Sequence, residues 1–341
     1  MGIDEAGVNE VLSDLQSKFI GQPEAKRQVL DLVTRVMLDD IRAEQGIPVE
    51  GRNYNLIFSG APGTGKTTMA STMGKIYNRL GIVPTDKVVV RTGTEMISEY
   101  KNDTPRKVKE VWDQAKGGVL FIDEAYGMDM ENRDNEAAQQ ALDTLAGLIN
   151  DPKPGDPATV VILAGYSDRI MSMLSRNEGL PRRFPTTITF ENFRLDERMK
   201  ILEANMQSRG LRFAPGSAAA DAAMDALLDT GDGNAGDVRN LLMKIEQARD
   251  SRITPLIMGG SLKPDKQREV LTTVTADDVK AGRDLFVRES LVENPLRGKK
   301  GLVAVPTGRK KVVGAGAKKP AAKKAAAKKP VLSKAVSGVV G

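Results

Sequence analysis

Gly60, Gly65, Lys66 and Thr67 stand at the spacing GxxxxGK[ST] within GAPGTGKTT, Gly60 to Thr68. That combination suits a polyphosphate. Glycines let successive backbone amides curl round phosphate oxygens, a lysine reaches the outer two phosphates, and a hydroxyl after it ligates magnesium. Ala61, Pro62, Gly63, Thr64 and Thr68 complete the cradle. A second pair of reactive groups closes the apolar run GGVLFIDEA, Gly117 to Ala125, in which Asp123 and Glu124 follow four hydrophobic residues. Strand alternation points the two carboxylates in opposite directions. Asp123 is then free to hold the water shell of a magnesium ion while Glu124 faces the terminal phosphate and polarises a water. A chain that only bound nucleotide would not need Glu124.

Each site needs an element to carry it. The glycine loop follows the strand-like run NLIFS, Asn55 to Ser59, and precedes a segment with Met69, Met73, Ile76, Tyr77 and Leu80 at helical spacing. The loop therefore sits between strand and helix, as phosphate binding requires. DKVVVRT (Asp86 to Thr92) reads as a second buried strand, ATVVILAGYSD as another, and Thr187 to Phe190 as the last. If the sheet is parallel, Tyr166, Ser167 and Asp168 emerge on the same edge as the glycine loop. Upstream, a short helix is expected over Glu5 to Gln16. A longer one starts near Pro23 and Glu24, with Val29, Leu30, Val33, Val36, Met37 and Ile41 at helical intervals, and ends at Gly46 and Pro48.

Composition narrows the chemistry. The 341 residues leave room for two packed domains, and they include neither histidine nor cysteine. That excludes imidazole acid-base catalysis, Cys or His metal sites and disulfides, so catalysis rests on carboxylates, Lys, Arg and magnesium. No apolar run approaches bilayer length, and MGIDEAGVNE lacks the regions of a signal peptide. The expectation is a cytoplasmic protein without membrane contact, in the host cytoplasm if the chain is viral. The net charge of +5 hides an asymmetry. From Arg297 onward there are 13 Lys and Arg and no acidic residue, leaving 37 basic against 45 acidic residues before it.

Two further stretches are candidates for contact. Tyr100 lies on the polar loop TGTEMISEYKND beside Glu99, Lys101 and Asn102, where an aromatic either touches a partner or folds back on its own domain. The following helix opens with Thr104 and Pro105 and buries Val108, Val111 and Trp112. Arg182 and Arg183 are adjacent before the last strand; such pairs are usually solvated surface, but here they fall where a phosphate-sensing arginine is expected.

The strings FSGAPGTGKTT, SEYKNDTPRKVKEV, GGVLFIDEAY, VVILAGYSDR and GLPRRF, in this order, resemble the AAA+ ATPases, and within them the CbbX/SpoVK group. The resemblance covers about Phe19 to Glu289. It implies a parallel P-loop NTPase sheet with helices on both faces, a small all-α lid, and an ATP hydrolase using ATP and Mg2+. It would put Ile20 and Gly21 near the adenine, Lys66 and Thr67 on phosphate and magnesium, and Asp123 and Glu124 in metal binding and water activation. Arg183, with Arg182 as second choice, would reach the terminal phosphate of a neighbouring subunit, which implies a homohexameric ring. Tyr100, with Lys101, would sit on the central-pore loop that grips a polypeptide. The sequence departs from the pattern in three places. The pore signature reads YKN; Gly236 stands where the second sensor arginine is usual, leaving Arg239 as a stand-in; and the first sensor is open among Tyr166, Ser167 and Asp168.

The expected organisation is an N-terminal helical segment (1–50), an α/β nucleotide-binding domain (51–193), a helical lid (194–291) and a basic low-complexity tail (292–341). Leu195, Met199, Leu202 and Met206 form one lid stripe, Val238 to Ala248 is expected as a further lid helix, and Thr275 with Asp278 fits a capping box. AKKPAAKKAAAKKP, Ala317 to Pro330, is too poor in large apolar residues to fold alone, so a disordered tail is expected. Its lysine pairs suit a phosphate backbone through counterion release, or simply solubilise an acidic body. Two functions follow: a ring that remodels a protein partner by ATP hydrolysis, or a DNA-associated ATPase held on nucleic acid by the tail.

Overall fold

Successive residues of the strand before the glycine loop face opposite ways, and that alternation builds the molecule in layers. In β1 (Leu56–Ser59), Leu56 and Phe58 pack into one core and Ile57 into another. Asn55, expected to start this strand, instead lends its buried side-chain oxygen to the Val161 amide at 2.7 Å. The computed structural model describes residues 3–49, 53–100, 102–129, 135–150, 155–231, 233–259 and 264–293. All belong to one unit, Met1–Gly301.

The sheet contains β1, β2 (Val88–Thr92), β3 (Val119–Asp123), β4 (Val160–Gly165) and β5 (Thr186–Thr189) in the order β2-β3-β4-β1-β5. Every pairing is parallel. Parallel strands need helical crossovers, and these cover both faces. On one face lie α1 (Glu5–Lys18), α2 (Pro23–Glu44) and α3 (Lys66–Arg79), whose Val8, Val29, Val33, Met69, Met73 and Ile76 meet Leu56 and Phe58. On the other lie α4 (Thr104–Ala115), α5 (Asn135–Asn150) and α6 (Ser167–Leu174), with Val108, Trp112, Leu142 and Ile170 against Ile57, Leu120 and Leu163. The crossover from β1 to β2 skips two strands. The C-terminal ends of β1, β3 and β4 are thereby left side by side, forming the crevice where open α/β sheets take ligands.

A third core joins α7 (Leu195–Ser208), α8 (Ala218–Leu228), α9 (Ala235–Met258) and α11 (Ala276–Glu293) through Leu202, Leu227, Leu241 and Val279. Here β6 (Arg212–Phe213) pairs in parallel with β7 (Thr273–Val274), which follows α10 (Pro264–Thr272). The Thr275 and Asp278 capping box at the head of α11 forms in both directions, and Asp278 is also held by Arg252. That arginine and two Thr275 donors keep the Asp278 carboxyl below its usual range although burial opposes them.

Two expectations are corrected. Leu30 and Ile41 share the α2 spacing with buried Val29 and Val33 but lie on the solvent side, 43% and 52% exposed. The helix has only one covered face, and its apolar residues exceed what that face can hold. Helix α9 runs well beyond the expected Val238 to Ala248, passing Pro255 in its last turn. Proline has no N–H to give, so the helix loses the one bond to the Ser251 carbonyl, a turn before the last.

The segment entering α2 is fastened across the chain. Gln22, 3% exposed and left-handed at φ 55°, donates to the Glu191 carbonyl at 2.7 Å and accepts from the Glu191 amide at 3.0 Å. Two backbone groups after β5 thus depend on one side chain. Gln22→Ala is expected to lower the unfolding free energy by about 2 kcal/mol, the cost of unpaired buried polar groups. Chemical denaturation of the two proteins checks this.

Candidate functional site

The loop after β1 turns because two of its glycines take left-handed backbone conformations that other residues adopt only at a cost. Gly63 and Gly65 have φ of 74° and 97°. Gly65 must also stay bare because a Cβ there would stand 2.9 Å from the Phe19 ring. Thr64 is fully buried, its hydroxyl donating to the Ala61 carbonyl at 2.8 Å. Lys66 opens α3 and is 6% exposed; its ammonium donates to the carbonyls of Gly60 at 3.0 Å and Ala61 at 2.8 Å. Burial lowers the Lys66 pKa, while the carboxylates of Asp123 and Glu124 push it back up. An ammonium so desolvated is primed for a phosphate, which would replace the two neutral acceptors with charged ones.

Gly60, Pro62, Gly63, Gly65, Lys66, Thr67, Thr68, Asp123, Glu124 and Arg239 line one cleft of about 270 Å³. The two carboxylates reach it by a route that alternation did not anticipate. Strand β3 ends at Asp123, and Glu124 is left-handed at φ 46°, so the pleat no longer governs its direction. The Glu124 carbonyl accepts from the Gly127 amide at 2.7 Å, closing the one-turn helix Ala125–Asp129. Both side chains thereby face the same space. A left-handed non-glycine residue costs roughly 1–3 kcal/mol, and such strain gathers at functional sites.

Oxygen donors are what a magnesium ion takes, and Thr67 and Asp123 supply a hydroxyl and a carboxylate to one cleft. Two helix N-termini also open there. One is that of α3, behind Gly65; the other is that of α9, whose Ala235 and Gly236 line the cleft. Arg239, one turn further along α9, is exposed at the same rim. Of the three residues that follow β4, Tyr166 lines the cleft, whereas Ser167 and Asp168 start α6 and do not line it.

Several sequence candidates lie elsewhere. Ile20 packs with the helical core of α7 to α11, and Gly21, at φ 64°, lies against the Glu197 carboxyl rather than the phosphate loop. Arg183 is half-buried on the short turn Pro181–Arg183, bonded to Asn150 and to the Gly179 carbonyl. Arg182 beside it is exposed. Neither lines the cleft of its own chain. Tyr100 is 77% exposed, on the loop between β2 and α4. Asn102, at φ 60°, turns that loop. Lys101 lies outside the described residues, as does the basic tail.

The residues that sequence reasoning missed act across long separations. Asn234 is 5% exposed; it accepts from the Phe193 amide at 3.0 Å and donates to Asn192 and to the Pro62 carbonyl. The Ala235 amide donates to the Gly63 carbonyl at 3.0 Å, so α9 is bonded directly to the phosphate loop. Its one sequence signal is an asparagine at a helix start, which suggests a cap, a role its side chain does not play. Tyr126 lines the cleft next to Glu124, and Arg169 stands over its ring. Burial pushes the Tyr126 phenol up; Glu124 adds to that and Arg169 opposes it.

Residues 56–192 match the family described as ATPase family associated with various cellular activities (AAA), and residues 195–285 match the AAA lid domain. The chain is 32% identical over 280 residues to the plasmid protein CbxX of Cupriavidus necator, covering 82% of this chain and 86% of that protein. It is 32% identical over 296 residues to the ESX-1 secretion system protein EccA1 of Mycobacterium tuberculosis, spanning about half (51%) of that longer chain. The chloroplastic cbbX homolog of Guillardia theta is 33% identical over 207 residues, 61% of this chain and 54% of that one. Among solved structures, the Thermotoga maritima RuvB Holliday junction branch migration motor superposes with a TM-score of 0.47 at 18% identity, over 78% of this chain and 70% of that one.

The strain at Glu124 is measurable. Glu124→Gly, which admits a left-handed backbone freely, is expected to raise the stability of the nucleotide-free protein by about 1 kcal/mol, and Glu124→Gln to leave it unchanged. Denaturant midpoints of the three proteins decide it.

Proposed function

The chain belongs to the AAA family of ATPases and is an ATP hydrolase, and from that premise we propose that it works as a homohexameric ring that remodels a protein partner. In this reading the amides of the Gly60 to Thr68 loop and the Lys66 ammonium bind the phosphates, Ile20 and Gly21 flank the adenine, and Arg239 reaches phosphate from α9. Thr67 and Asp123 would hold magnesium, which would supply charge neutralisation for the phosphates. Glu124 orients and polarises the attacking water by accepting its proton. The domain division at about residues 50, 193 and 291 goes with this reading: an α/β unit binds nucleotide and the helical lid moves over it.

One observation carries the ring: the Pro181–Arg183 turn stands off the cleft of its own chain. An arginine placed there serves a neighbouring copy, and hydrolysis becomes conditional on assembly. Arg183 is the assigned finger and Arg182, the more exposed of the two, is the second choice. Tyr100 supports a pore role by its exposure on a turned loop whose neighbour Ile97 is buried and anchors it. A second reading, favoured by the 13 basic residues from Arg297 onward, makes the tail a tether to DNA.

The deciding experiment measures ATP turnover against protein concentration for the wild type, Glu124→Gln and Arg183→Ala. Cooperative turnover is expected in the wild type, with loss of roughly a thousandfold in Arg183→Ala, as for an arginine acting in trans. Glu124→Gln abolishes turnover while retaining nucleotide. Turnover independent of concentration and indifferent to Arg183→Ala and Arg182→Ala would remove the ring. Tyr100→Ala removes stimulation by an unfolded polypeptide such as reduced, carboxymethylated lactalbumin. Stimulation by duplex DNA that disappears on deleting residues 298–341 would favour the second reading.

A further inference from the structure

The short turn Ala125–Asp129, which carries Glu124 at its head, is gripped on both sides by bare backbone. A Cβ on Gly93, after β2, would stand 2.5 Å from the Glu124 carbonyl, and one on Gly165, at the end of β4, would stand 2.8 Å from the Tyr126 ring. Cε1 and Cδ1 of Tyr126 therefore lie close against the β4 backbone. Above it stands Arg169 of α6, its guanidinium carbon 5.1 Å from the Tyr126 ring centre and 5.5 Å from that of Tyr166. The two rings are 6.3 Å apart and inclined at 32°, close enough for one cation to serve both. At the other end of the turn Arg176, just beyond α6, pairs with Asp129 at 2.7 Å. Two arginines, one on this short helix and one just beyond it, thus hold both ends of the turn, while Met128 between them is buried in the core.

Arg169 itself is exposed, and among the described residues it has no carboxylate partner. A surface arginine that spends its charge on two aromatic faces is placed to fix those faces. Tyr126 and Tyr166 line the cleft but Arg169 does not, so any effect on the reaction passes through the rings. The left-handed Glu124 needs such an outside constraint, since its local preference is to relax.

We propose that Arg169 is a positioning residue for ATP hydrolysis, holding Tyr126 against Gly165 so that the strained turn presents Glu124 to the cleft. This rests on Glu124 as the water-polarising residue. The arginine touches neither nucleotide nor water; it fixes the orientation of the group that does.

Steady-state kinetics of the full chain test it. Arg169→Ala is expected to lower kcat roughly fivefold to tenfold, the scale of a cation shared by two rings, with KM for ATP and affinity for a fluorescent ATP analogue within about twofold. Arg169→Lys, which keeps a cation over the rings, recovers most of the loss. Tyr126→Leu falls as Arg169→Ala does, Tyr126→Phe falls less, and the double variant Arg169→Ala/Tyr126→Leu falls no further than the lower single one. Unchanged kcat in Arg169→Ala, additive losses in the double variant, or a loss confined to KM would each overturn the proposal. Glu124→Gln separates the two levels: if it keeps turnover, the role of Glu124 itself fails; if it abolishes turnover while Arg169→Ala is wild type, only the role of Arg169 fails.

Discussion

A lysine held at 6% exposure sets the conditions for everything around it. Taking a lysine charge out of water costs several kcal/mol unless oxygens replace the lost hydration. The replacements here are two backbone carbonyls, Gly60 and Ala61, and the field of Asp123 and Glu124. The carbonyls can face the lysine only if the loop folds back over the start of α3, which explains the left-handed glycines. The carboxylates can do so only if β3 ends beside β1 with a single strand between them, which is what the order β2-β3-β4-β1-β5 provides. Loop, strand order and crossover length therefore answer one electrostatic requirement.

The same loop is tied to the helical part of the chain. Pro62 and Gly63 each give a carbonyl to the head of α9, through the Asn234 side chain and the Ala235 amide. Asn234 also takes the Phe193 amide at the connection between the α/β layer and α7, and Gln22 fastens the segment before α2 to Glu191 nearby. These are polar, directional links between units that have separate apolar cores. A hydrophobic seam of comparable area would resist sliding less but separation more. Hydrogen bonds fix relative orientation at modest net energy.

Much of this was legible in the sequence where identity and spacing alone decide the matter. The phosphate loop could be read because its residues act within nine positions and its flanking strand and helix carry their own periodicities. The acidic end of β3 was equally clear, and so was the capping box at Thr275 and Asp278. The backbone of Glu124 was not, because alternation describes a strand and the strand stops one residue earlier. Asn234, Gln22 and Arg169 were invisible for another reason. Each is an ordinary polar residue in its local context, and a partner that decides its role lies tens of residues or more away: Phe193 and Pro62 for Asn234, Glu191 for Gln22, Tyr126 for Arg169. The exposure of Leu30 and Ile41 shows the converse limit: helical spacing tells which residues share a face, but not how wide a face the neighbours cover.

Magnitudes suggest why the loop and α9 are joined by so little. Two hydrogen bonds from α9 to Pro62 and Gly63 contribute about 1 kcal/mol each in net terms. Differential binding of a charged ligand to two arrangements of a protein is readily of that size or larger. A connection worth some 2 kcal/mol is strong enough to set a resting arrangement and weak enough for a charged ligand to overturn. A buried apolar seam between the same elements, at roughly 25 cal/mol for each Å² removed from water, would need under 100 Å² to match it and would grow beyond the ligand's reach with any larger contact. The apolar contacts are instead gathered within each core, where no ligand must break them.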